Sequence, residues 1–414
     1  MTSYHFFGNE DEAIPEDVTE LLIHPLVQFI PQRACDDHKY LTSFNFNGSA
    51  LKSVTTIEGW ACCDCQSMRT VRFHENGLLT TIGSWAFGYC NSLTDISIPS
   101  SVETLQIAAF GKCEGLARVS FQDGLKTISV RGFYECTKLE QVDLPTTLEM
   151  MGNSAFGGCI SLKEAISEEG NLEVIGEQVF DRCVNLHTIN FPPTIERTGM
   201  MIFRNCDSLK VVKFRNGLKC VEGHAFLSCK HLQAVELPES IEMIGHGAFE
   251  HYPKLVSVGW GGGDRNRAVS IQIDAFSGCP SLLNIYLPSE CRVTQMFTSE
   301  TCLGIVSKDN FRGCKALENH YVGTDVPYAL MSRFENFPIH KKCYQTSVTI
   351  ADELAREIES LPQSSRLVDP FGVTPFHVLL SAANCRNDLL QALLDAYPPN
   401  ILRLKDLNGK TAIE

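Results

Sequence analysis

The sequence predicts a repeat solenoid, in which short units of similar sequence stack on one another around a parallel β-sheet. Three observations support this prediction. One pattern, A-F-x-x-C-x-x-L-x-x-I-x-I, recurs along about three quarters of the 414 residues. Its cysteine returns mostly every 23 residues. Each unit also carries apolar edges that it cannot bury alone, so that neighbouring units must cover them.

The clearest copy of the pattern spans residues 86–99, AFGYCNSLTDISIP. Tyr252 fills the cysteine position in a degenerate copy, and His38 fills it in the first unit. Counting these two, we expect about twelve coils over residues 18–317. The cysteine itself occupies the position at Cys65, Cys90, Cys113, Cys136, Cys159, Cys183, Cys206, Cys229, Cys279 and Cys314.

Each unit switches its hydrophobic period, and this switch places the elements. The segment L-x-x-I-x-I ends in an apolar alternation of period two, as at Leu139, Val142 and Leu144, which predicts a short strand with one face inward. The Phe, Cys and Leu of the pattern stand at i, i+3 and i+6, a spacing that predicts a helical or 3₁₀ turn. A connector closed by V-x-x-I joins the two. The strands of successive coils are therefore expected to form one long parallel sheet.

The residue that follows each predicted strand alternates between two kinds of corner, so that the full period is about 46 residues. Proline fixes φ and glycine allows a positive φ, and the two residues therefore offer different ways of turning the same corner. The proline corners are Pro99, Pro145, Pro192, Pro238 and Pro288, and the glycine corners are Gly77, Gly124, Gly170 and Gly217.

Both ends of the chain depart from the pattern. Residues 1–17 are acidic and turn-prone, which predicts a disordered tail. Residues 318–414 show apolar residues at helical spacing and a new repeat of 37 residues, in which DPFGVTPFH at 369–377 is echoed by DLNGKTA at 406–412. The chain stops as this last unit begins, and we expect the region to be truncated there.

The repeats at 18–317 resemble the BspA-like class of leucine-rich repeats. The marks of the class are the 23-residue period, the A-F-x-x-C-x-x-L turn and the I-x-I-P strand end. The 369–377 segment is similar to the D-x-x-G-x-T-P-L-H motif of ankyrin repeats. This resemblance implies a right-handed leucine-rich solenoid with a parallel sheet on its concave face, followed by an α-helical ankyrin-like region. It also implies a role in protein binding, and some BspA-like proteins are surface adhesins.

Composition narrows the classes of partner. The net charge of -14 disfavours nucleic acid and an anionic membrane surface, both of which attract basic proteins. No stretch approaches the 18 to 20 apolar residues of a membrane span, and the N-terminus lacks the pattern of a secretory signal. We therefore expect a cytoplasmic protein, with the nucleus as the alternative, that binds protein partners and needs no cofactor.

The 18 cysteines allow three interpretations. Equivalent positions on successive coils point the same way, which favours a buried column of reduced thiols over disulfides. Disulfide formation is the alternative for some of them. A zinc site is the other alternative, because Cys62 and Cys65 could be joined by Cys35 and His38 of the neighbouring coil. Ordinary core packing is the simpler explanation of these four residues.

The outward-facing residues of the strands are the candidate binding site. They flank the central apolar residue of L-x-x-I-x-I and mix both charge signs, with one aromatic residue as the candidate anchor. The alternative is that opposite charges on adjacent strands only neutralise one another. The residues are Arg72, Asp95, Arg118, Asp143, Asn190, Lys213, Glu236 and Tyr286.

The sequence contains no convincing set of nucleophile, base and orienting residue. We therefore expect a non-catalytic scaffold or adaptor that binds protein partners through the concave face. A cell-surface adhesin or receptor-like protein is the first alternative. An enzyme whose site is spread over several coils is the second.

Overall fold

The computed structural model describes residues 2–9, 12–46, 53–166, 170–260, 269–282, 284–285, 292–294, 312 and 314–315. The chain divides into two compact units, Met1–Ser208 (unit 1) and Leu209–Glu414 (unit 2). Within the described ranges the structure is a β-solenoid of parallel strands with about 10 turns. The predicted ankyrin-like region at 318–414 lies outside the described residues, as does most of the last of the twelve expected coils.

The strands of unit 1, in chain order, are β1 (Ser3–Phe6), β2 (Glu20–Ile23), β3 (Phe29–Ile30), β4 (Ser43–Asn45), β5 (Thr56–Ile57), β6 (Thr70–Arg72), β7 (Thr81–Ile82), β8 (Asp95–Ile98), β9 (Thr104–Leu105), β10 (Arg118–Phe121), β11 (Thr127–Ile128), β12 (Gln141–Asp143), β13 (Met150–Met151), β14 (Glu164–Ile166), β15 (Val174–Ile175) and β16 (Thr188–Asn190). The strands of unit 2 are β17 (Val211–Lys213), β18 (Cys220–Val221), β19 (Ala234–Leu237), β20 (Met243–Ile244), β21 (Ser257–Trp260), β22 (Ser270–Gln272), β23 (Asn284–Ile285) and β24 (Arg292–Thr294).

Two kinds of sheet line the sides of unit 1, and all their described pairings are parallel. Strands of three or four residues form the long-strand face, in the orders β1-β2-β4-β6 and β8-β10-β12-β14-β16. Strands of two residues form the short-strand face, in the order β15-β13-β11-β9-β7-β5-β3. Unit 2 also has two parallel sheets, in the orders β17-β19-β21-β23 and β18-β20-β22-β24, but their strand lengths overlap. The short-strand face is a second sheet where the sequence predicts only a connector.

The third side of each coil is a six-residue turn, and here the prediction of a helical or 3₁₀ turn is wrong. The second and sixth residues of the turn have positive φ, as at Trp85 (57°) and Tyr89 (60°), which a right-handed helix cannot accommodate. Amides of the turn instead donate to the next coil. Trp85 N donates to Ile107 O, and Phe87 N donates to Ala109 O, both at 2.9 Å.

A column of phenylalanines fills the core of unit 1. Successive rings are nearly parallel, with interplanar angles of 4° to 10° and centroids 5.4 to 5.9 Å apart. Each ring is completely buried. This column is the Phe position of the repeat, so the sequence pattern translates directly into a continuous core. Its members in unit 1 are Phe87, Phe110, Phe133, Phe156, Phe180 and Phe203.

A column of thiols runs beside the phenylalanines. Each thiol donates a hydrogen bond to the backbone carbonyl of the preceding coil's Phe position: Cys113 Sγ to Phe87 O at 3.0 Å, and Cys136 Sγ to Phe110 O at 3.2 Å. Every cysteine in the described part of the chain is a free, buried thiol. The prediction of buried, reduced thiols is therefore confirmed for these residues. Tyr252, which replaces the cysteine, bonds through its hydroxyl to the equivalent carbonyl, Phe226 O.

The alternation of proline and glycine corners has a structural reason. Gly124 has a φ of 143°, and a Cβ on it would collide with the Ser100 carbonyl oxygen. On the following proline-type coil, Thr147 Oγ1 accepts from Gly124 N at 2.8 Å and donates to Leu125 O at 2.9 Å. The hydroxyl that follows a proline corner therefore caps the glycine corner before it.

The N-terminus differs from the expected disordered tail over 1–17. β1 lies inside this segment and pairs in parallel with β2, and Phe6 is completely buried. The Glu12 carboxylate accepts from the backbone amides of Phe7 and Asn9 and from the Tyr4 hydroxyl. The segment is thus the first strand of the long-strand face, which its acidic composition hides.

Candidate functional site

The long-strand face presents two columns of outward residues, one on each side of the buried central residue. The register places Arg118 opposite Asp95, Val119 opposite Ile96, and Ser120 opposite Ser97. Positions two residues apart on one strand lie about 6.6 Å apart on the same face, and neighbouring strands about 4.8 Å apart. The face is therefore a grid whose positions follow from register alone.

The predicted site residues of unit 1 divide between these columns. Asp95 and Arg118 precede the central residue, and Arg72, Asp143 and Asn190 follow it. The side chains of Arg72, Asp95, Arg118 and Asp143 are exposed, and that of Asn190 is half-buried. The structure thus places all five on one face, in the two columns that flank the central residue.

The two charges at the centre of this face are not engaged with each other. Asp95 accepts from Thr94 Oγ1 at 2.9 Å, and Arg118 forms no ion pair within the described part of the chain. Asp143 accepts only a neutral bond, from Gln141 Nε2 at 3.0 Å. Asp95 and Arg118 are therefore neighbours of opposite charge that form no ion pair with each other.

In unit 2, two of the three remaining predicted residues lie at the same register position. Lys213 and Glu236 are direct Cα partners on β17 and β19, with Gly259 on β21 next in the row. Glu236 is half-buried and has interactions of its own. Tyr286, the predicted aromatic anchor, lies outside the described residues.

Two of the four predicted zinc ligands contact backbone carbonyls. Cys65 Sγ donates to Cys35 O at 3.0 Å, and His38 Nε2 lies 2.9 Å from Pro15 O. Burial raises the pKa of Cys62 and of Cys65, which opposes the thiolate that zinc requires. Across the described ranges, no group of three or more His, Cys, Asp or Glu side chains is arranged to hold a metal ion.

The turn side of unit 1 carries an ionic network that the repeat pattern does not reveal. Arg204 binds Asp181 through two bonds of 2.8 and 2.7 Å, and only 6% of the Asp181 side chain is exposed. Arg182 reaches Glu135 at 3.5 Å and the Tyr134 hydroxyl at 2.8 Å, across an intervening coil. Lys112 holds the other side of Glu135 at 3.3 Å.

Small residues explain the unusual reach of Arg182. The coil between it and Tyr134 carries Gly157 and Gly158 at the equivalent positions, and a Cβ on Gly158 would lie 2.8 Å from Glu135 Cγ. The bonds from Tyr134 and Lys112, with the charge of Arg182, lower the pKa of Glu135 against the opposing effect of burial. Two adjacent glycines at the end of one turn are the sequence signal for such a cross-coil contact.

An aromatic stack occupies the same side nearer the N-terminus. Trp85 lies between Trp60, at 5.6 Å, and Tyr89, at 5.5 Å, with interplanar angles of 22° and 14°. Arg33 covers Trp60 at 5.6 Å, and Lys112 covers Tyr89 at 5.5 Å. Because each ring face meets another ring or a cation, the stack stabilises the turns and leaves only ring edges for contact.

Helices that could cross a membrane are not found among the residues that the structure describes. No curated protein sequence matches the chain. Three solved structures illustrate the likeness of fold. A leucine-rich repeat protein from Bacteroides ovatus is 21% identical, with a TM-score of 0.45, over 72% of this chain and 76% of the other. A leucine rich cell surface protein from Faecalibacterium prausnitzii is 22% identical, with a TM-score of 0.39, over 76% and 75%.

The third structure, the leucine-rich repeat protein of T. pallidum, is 30% identical over 46% of this chain and 78% of the other, with a TM-score of 0.36. The family description "BspA type leucine rich repeat region (6 copies)" matches residues 28–163 and 152–282. These ranges contain most of the strands, the phenylalanine column and the thiol column described above. The chain therefore belongs to the family of BspA-type leucine-rich repeat proteins.

Proposed function

We propose that this protein is a non-catalytic scaffold or adaptor that binds a protein partner through the long-strand face of unit 1. Leucine-rich repeat proteins of this type generally serve in binding. The observation that supports the location is the exposed pair Asp95 and Arg118, which form no ion pair with each other. Such charges give a partner of matching pattern both orientation and a faster association.

The centre of the face also has room for a partner. Ser97 and Ser120 stand side by side in the second column and are exposed. Asp95 and Arg118 border them in the first column. On the neighbouring strand β12, Asp143 is the next residue of the second column after Ser120. A shallow polar floor with charged edges fits a protein surface better than a small ligand, because the grid offers no enclosed volume.

The test exchanges the two charges and keeps the net charge constant. The variant Asp95→Arg/Arg118→Asp alters the face, and Glu103→Lys/Lys126→Glu is the matched control, since Glu103 and Lys126 also lie 23 residues apart and form a 3.0 Å salt bridge off this face. A partner is first identified by affinity capture and mass spectrometry, then purified and titrated. We expect the first variant to lose at least about tenfold in affinity, or ~1.4 kcal/mol. Equal affinity of both variants would reject this face.

We place this scaffold in the cytoplasm. The free, buried thiols are compatible with a reducing compartment, where cysteines remain unpaired. Fractionation of the tagged protein in the cell that naturally makes it separates this proposal from the adhesin alternative. Labelling by a membrane-impermeant reagent on intact cells would identify a surface protein instead.

A further inference from the structure

The short-strand face of unit 1 carries an apolar pair where its neighbours carry hydroxyls. Met150 on β13 and Val174 on β15 are direct Cα partners, with 37% and 52% of their surface exposed. In the four strands before them, the same column is occupied by Thr56, Thr81, Thr104 and Thr127. The outward surface therefore changes from polar to aliphatic at β13.

Carboxylates border this pair on both sides. Glu149 and Glu173 stand directly before Met150 and Val174, Glu177 follows Val174 by three residues, and all three are exposed. Neither Glu173 nor Glu177 has an ion-pair partner among the described residues. Lys126, the cation of the coil before Glu149, is held by Glu103 at 3.0 Å. On the following coil the exposed Arg197 occupies the position equivalent to Val174 and has an interaction of its own. The three carboxylates outnumber this cation, so the border is acidic.

The strip between the pair and Glu177 carries no outward side chain. It contains Gly152 and Gly176, where a Cβ would lie 2.5 Å from the backbone nitrogens of Val130 and Asn153 on the preceding coils. Val130, beside this strip, is a further aliphatic residue with 38% of its surface exposed. The close coil spacing therefore requires glycine here. We call this strip the channel, with the aliphatic residues Met150, Val174 and Val130 and the three carboxylates along its edges.

We propose that this channel is a docking site for an extended, basic segment of a partner protein. Aliphatic side chains of the segment cover Met150 and Val174, and its Lys or Arg side chains meet Glu173 and Glu177. The acidic residues beside the channel favour a basic segment over a second copy of this chain. A second copy of this chain has a net charge of -14 and the same acidic border, so it would be repelled. A basic segment with aliphatic side chains can contact both the aliphatic residues and the carboxylates. Its affinity should fall as the salt concentration rises.

A displayed library of random short peptides tests the proposal without a known partner. Peptides are selected on the full wild-type chain and then titrated against two variants. The first is Glu173→Lys/Val174→Lys on β15. The second is the control Thr80→Lys/Thr81→Lys, which introduces lysines at the same two positions of the coil that contains β7. Both variants are checked for folding by circular dichroism.

We expect the selected peptides to be rich in Lys and Arg with interspersed aliphatic residues. They should bind the control within about twofold of the wild type and lose at least about tenfold, or ~1.4 kcal/mol, against the β15 variant. If the β15 variant unfolds, Glu177→Lys alone replaces it and should weaken binding severalfold.

Three outcomes would overturn the proposal. The selected peptides could lack an excess of basic residues, or they could bind the β15 variant as tightly as the wild type. Sedimentation could also reveal a dimer of the wild type that the β15 variant abolishes, which would assign the channel to a second copy. The Asp95→Arg/Arg118→Asp exchange lies on the other face and should leave peptide binding unchanged, so this proposal and the scaffold proposal can fail independently.

Discussion

Asp95 and Arg118 are direct Cα partners on β8 and β10, yet their opposite charges form no ion pair. Elsewhere in unit 1 the same separation of 23 residues gives closed pairs, as between Lys126 and Glu103 at 3.0 Å and between Lys163 and Glu140 at 2.9 Å. One coil spacing is therefore short enough for a salt bridge. Asp95 and Arg118 can therefore bind a partner without breaking an ion pair.

Because Asp95 and Arg118 form no ion pair, we expect that either charge can be removed with little change in the free energy of unfolding. Asp95→Asn or Arg118→Gln should change the free energy of unfolding by less than about 0.5 kcal/mol, because both side chains are exposed and Arg118 has no charged partner to lose. Urea denaturation followed by circular dichroism measures the change. A loss above ~1 kcal/mol would mean that the pair serves stability rather than binding.

The ion pair of Arg204 and Asp181 should behave in the opposite way. Arg204→Met should destabilise unit 1 by about 1–3 kcal/mol, because it removes a bidentate partner from a carboxylate that is only 6% exposed. The value stays below that of a fully buried pair because 32% of the Arg204 side chain is exposed. Lys126→Met, which breaks an exposed pair, is the control and should cost less than ~0.5 kcal/mol. Equal midpoints for both variants in urea would contradict this assignment.

The phenylalanine column predicts a large cost for shortening one member. Phe133 stacks at 5.4 Å on both Phe110 and Phe156 and is completely buried. Phe133→Ala should therefore cost about 3–5 kcal/mol in the free energy of unfolding. Val130→Ala in the same turn is the control and should cost less than ~1 kcal/mol, since 38% of Val130 is exposed. A small effect at Phe133 would show that the coils repack around the missing ring.

The thiol column predicts sensitivity to alkali. Burial raises the pKa of Cys113 and of Cys159 from 9.0 to about 12. Below about pH 9 these thiols are protonated in both the folded and the unfolded chain, so their contribution to stability is fully present. Between about pH 9 and pH 12 the unfolded chain releases these protons and the folded chain keeps them, so stability falls as pH rises.

Urea midpoints recorded across this pH range test the effect. Cys159→Ala should flatten the alkaline slope relative to the wild type, because it removes one of the contributing groups. A variant with an unchanged slope would assign the alkaline sensitivity to other groups, such as tyrosines.

The long-strand face could be predicted because its apolar residues alternate. At Asp95 to Ile98 the buried positions are Ile96 and Ile98, as the pattern requires. The same frame places Asp95 before and Arg72 after the central residue of their strands, so their two columns follow from the repeat. A strand of two residues, such as Thr104–Leu105, contains no full alternation to recognise, and this is why the second sheet was missed.

The turns were misjudged for a different reason. A spacing of three residues between Phe87, Cys90 and Leu93 fits a helical turn, and the sequence does not exclude it. The positive φ of Trp85 and Tyr89 decides against a helix, yet non-glycine residues rarely signal that conformation. The hydrogen bonds that turn amides donate to the next coil hold these residues in that conformation. The channel beside Met150 lies where a two-residue strand meets such a turn, and the repeat pattern predicts neither element.

Those turn bonds have an electrostatic consequence. Trp60 N donates to Ser84 O. The peptide group that contains Ser84 O also contains Trp85 N, which in turn donates to Ile107 O. The relay continues through Ala108, Arg131, Ser154 and Gln178, whose amides donate to Val130 O, Asn153 O, Glu177 O and Met200 O at 2.8 to 2.9 Å. Every dipole in this chain of peptides points the same way, and each polarises the next.

Parallel relays begin at Cys35 N and Asp37 N, so three aligned files of dipoles run along one side of unit 1. In an α-helix the amides point towards the N-terminus and make that end positive. Here they point towards the following coil, which reverses the polarity. Without a single helical residue in these turns, the side of the solenoid acquires an axial field like that of a helix bundle, with its positive pole facing the C-terminal coils.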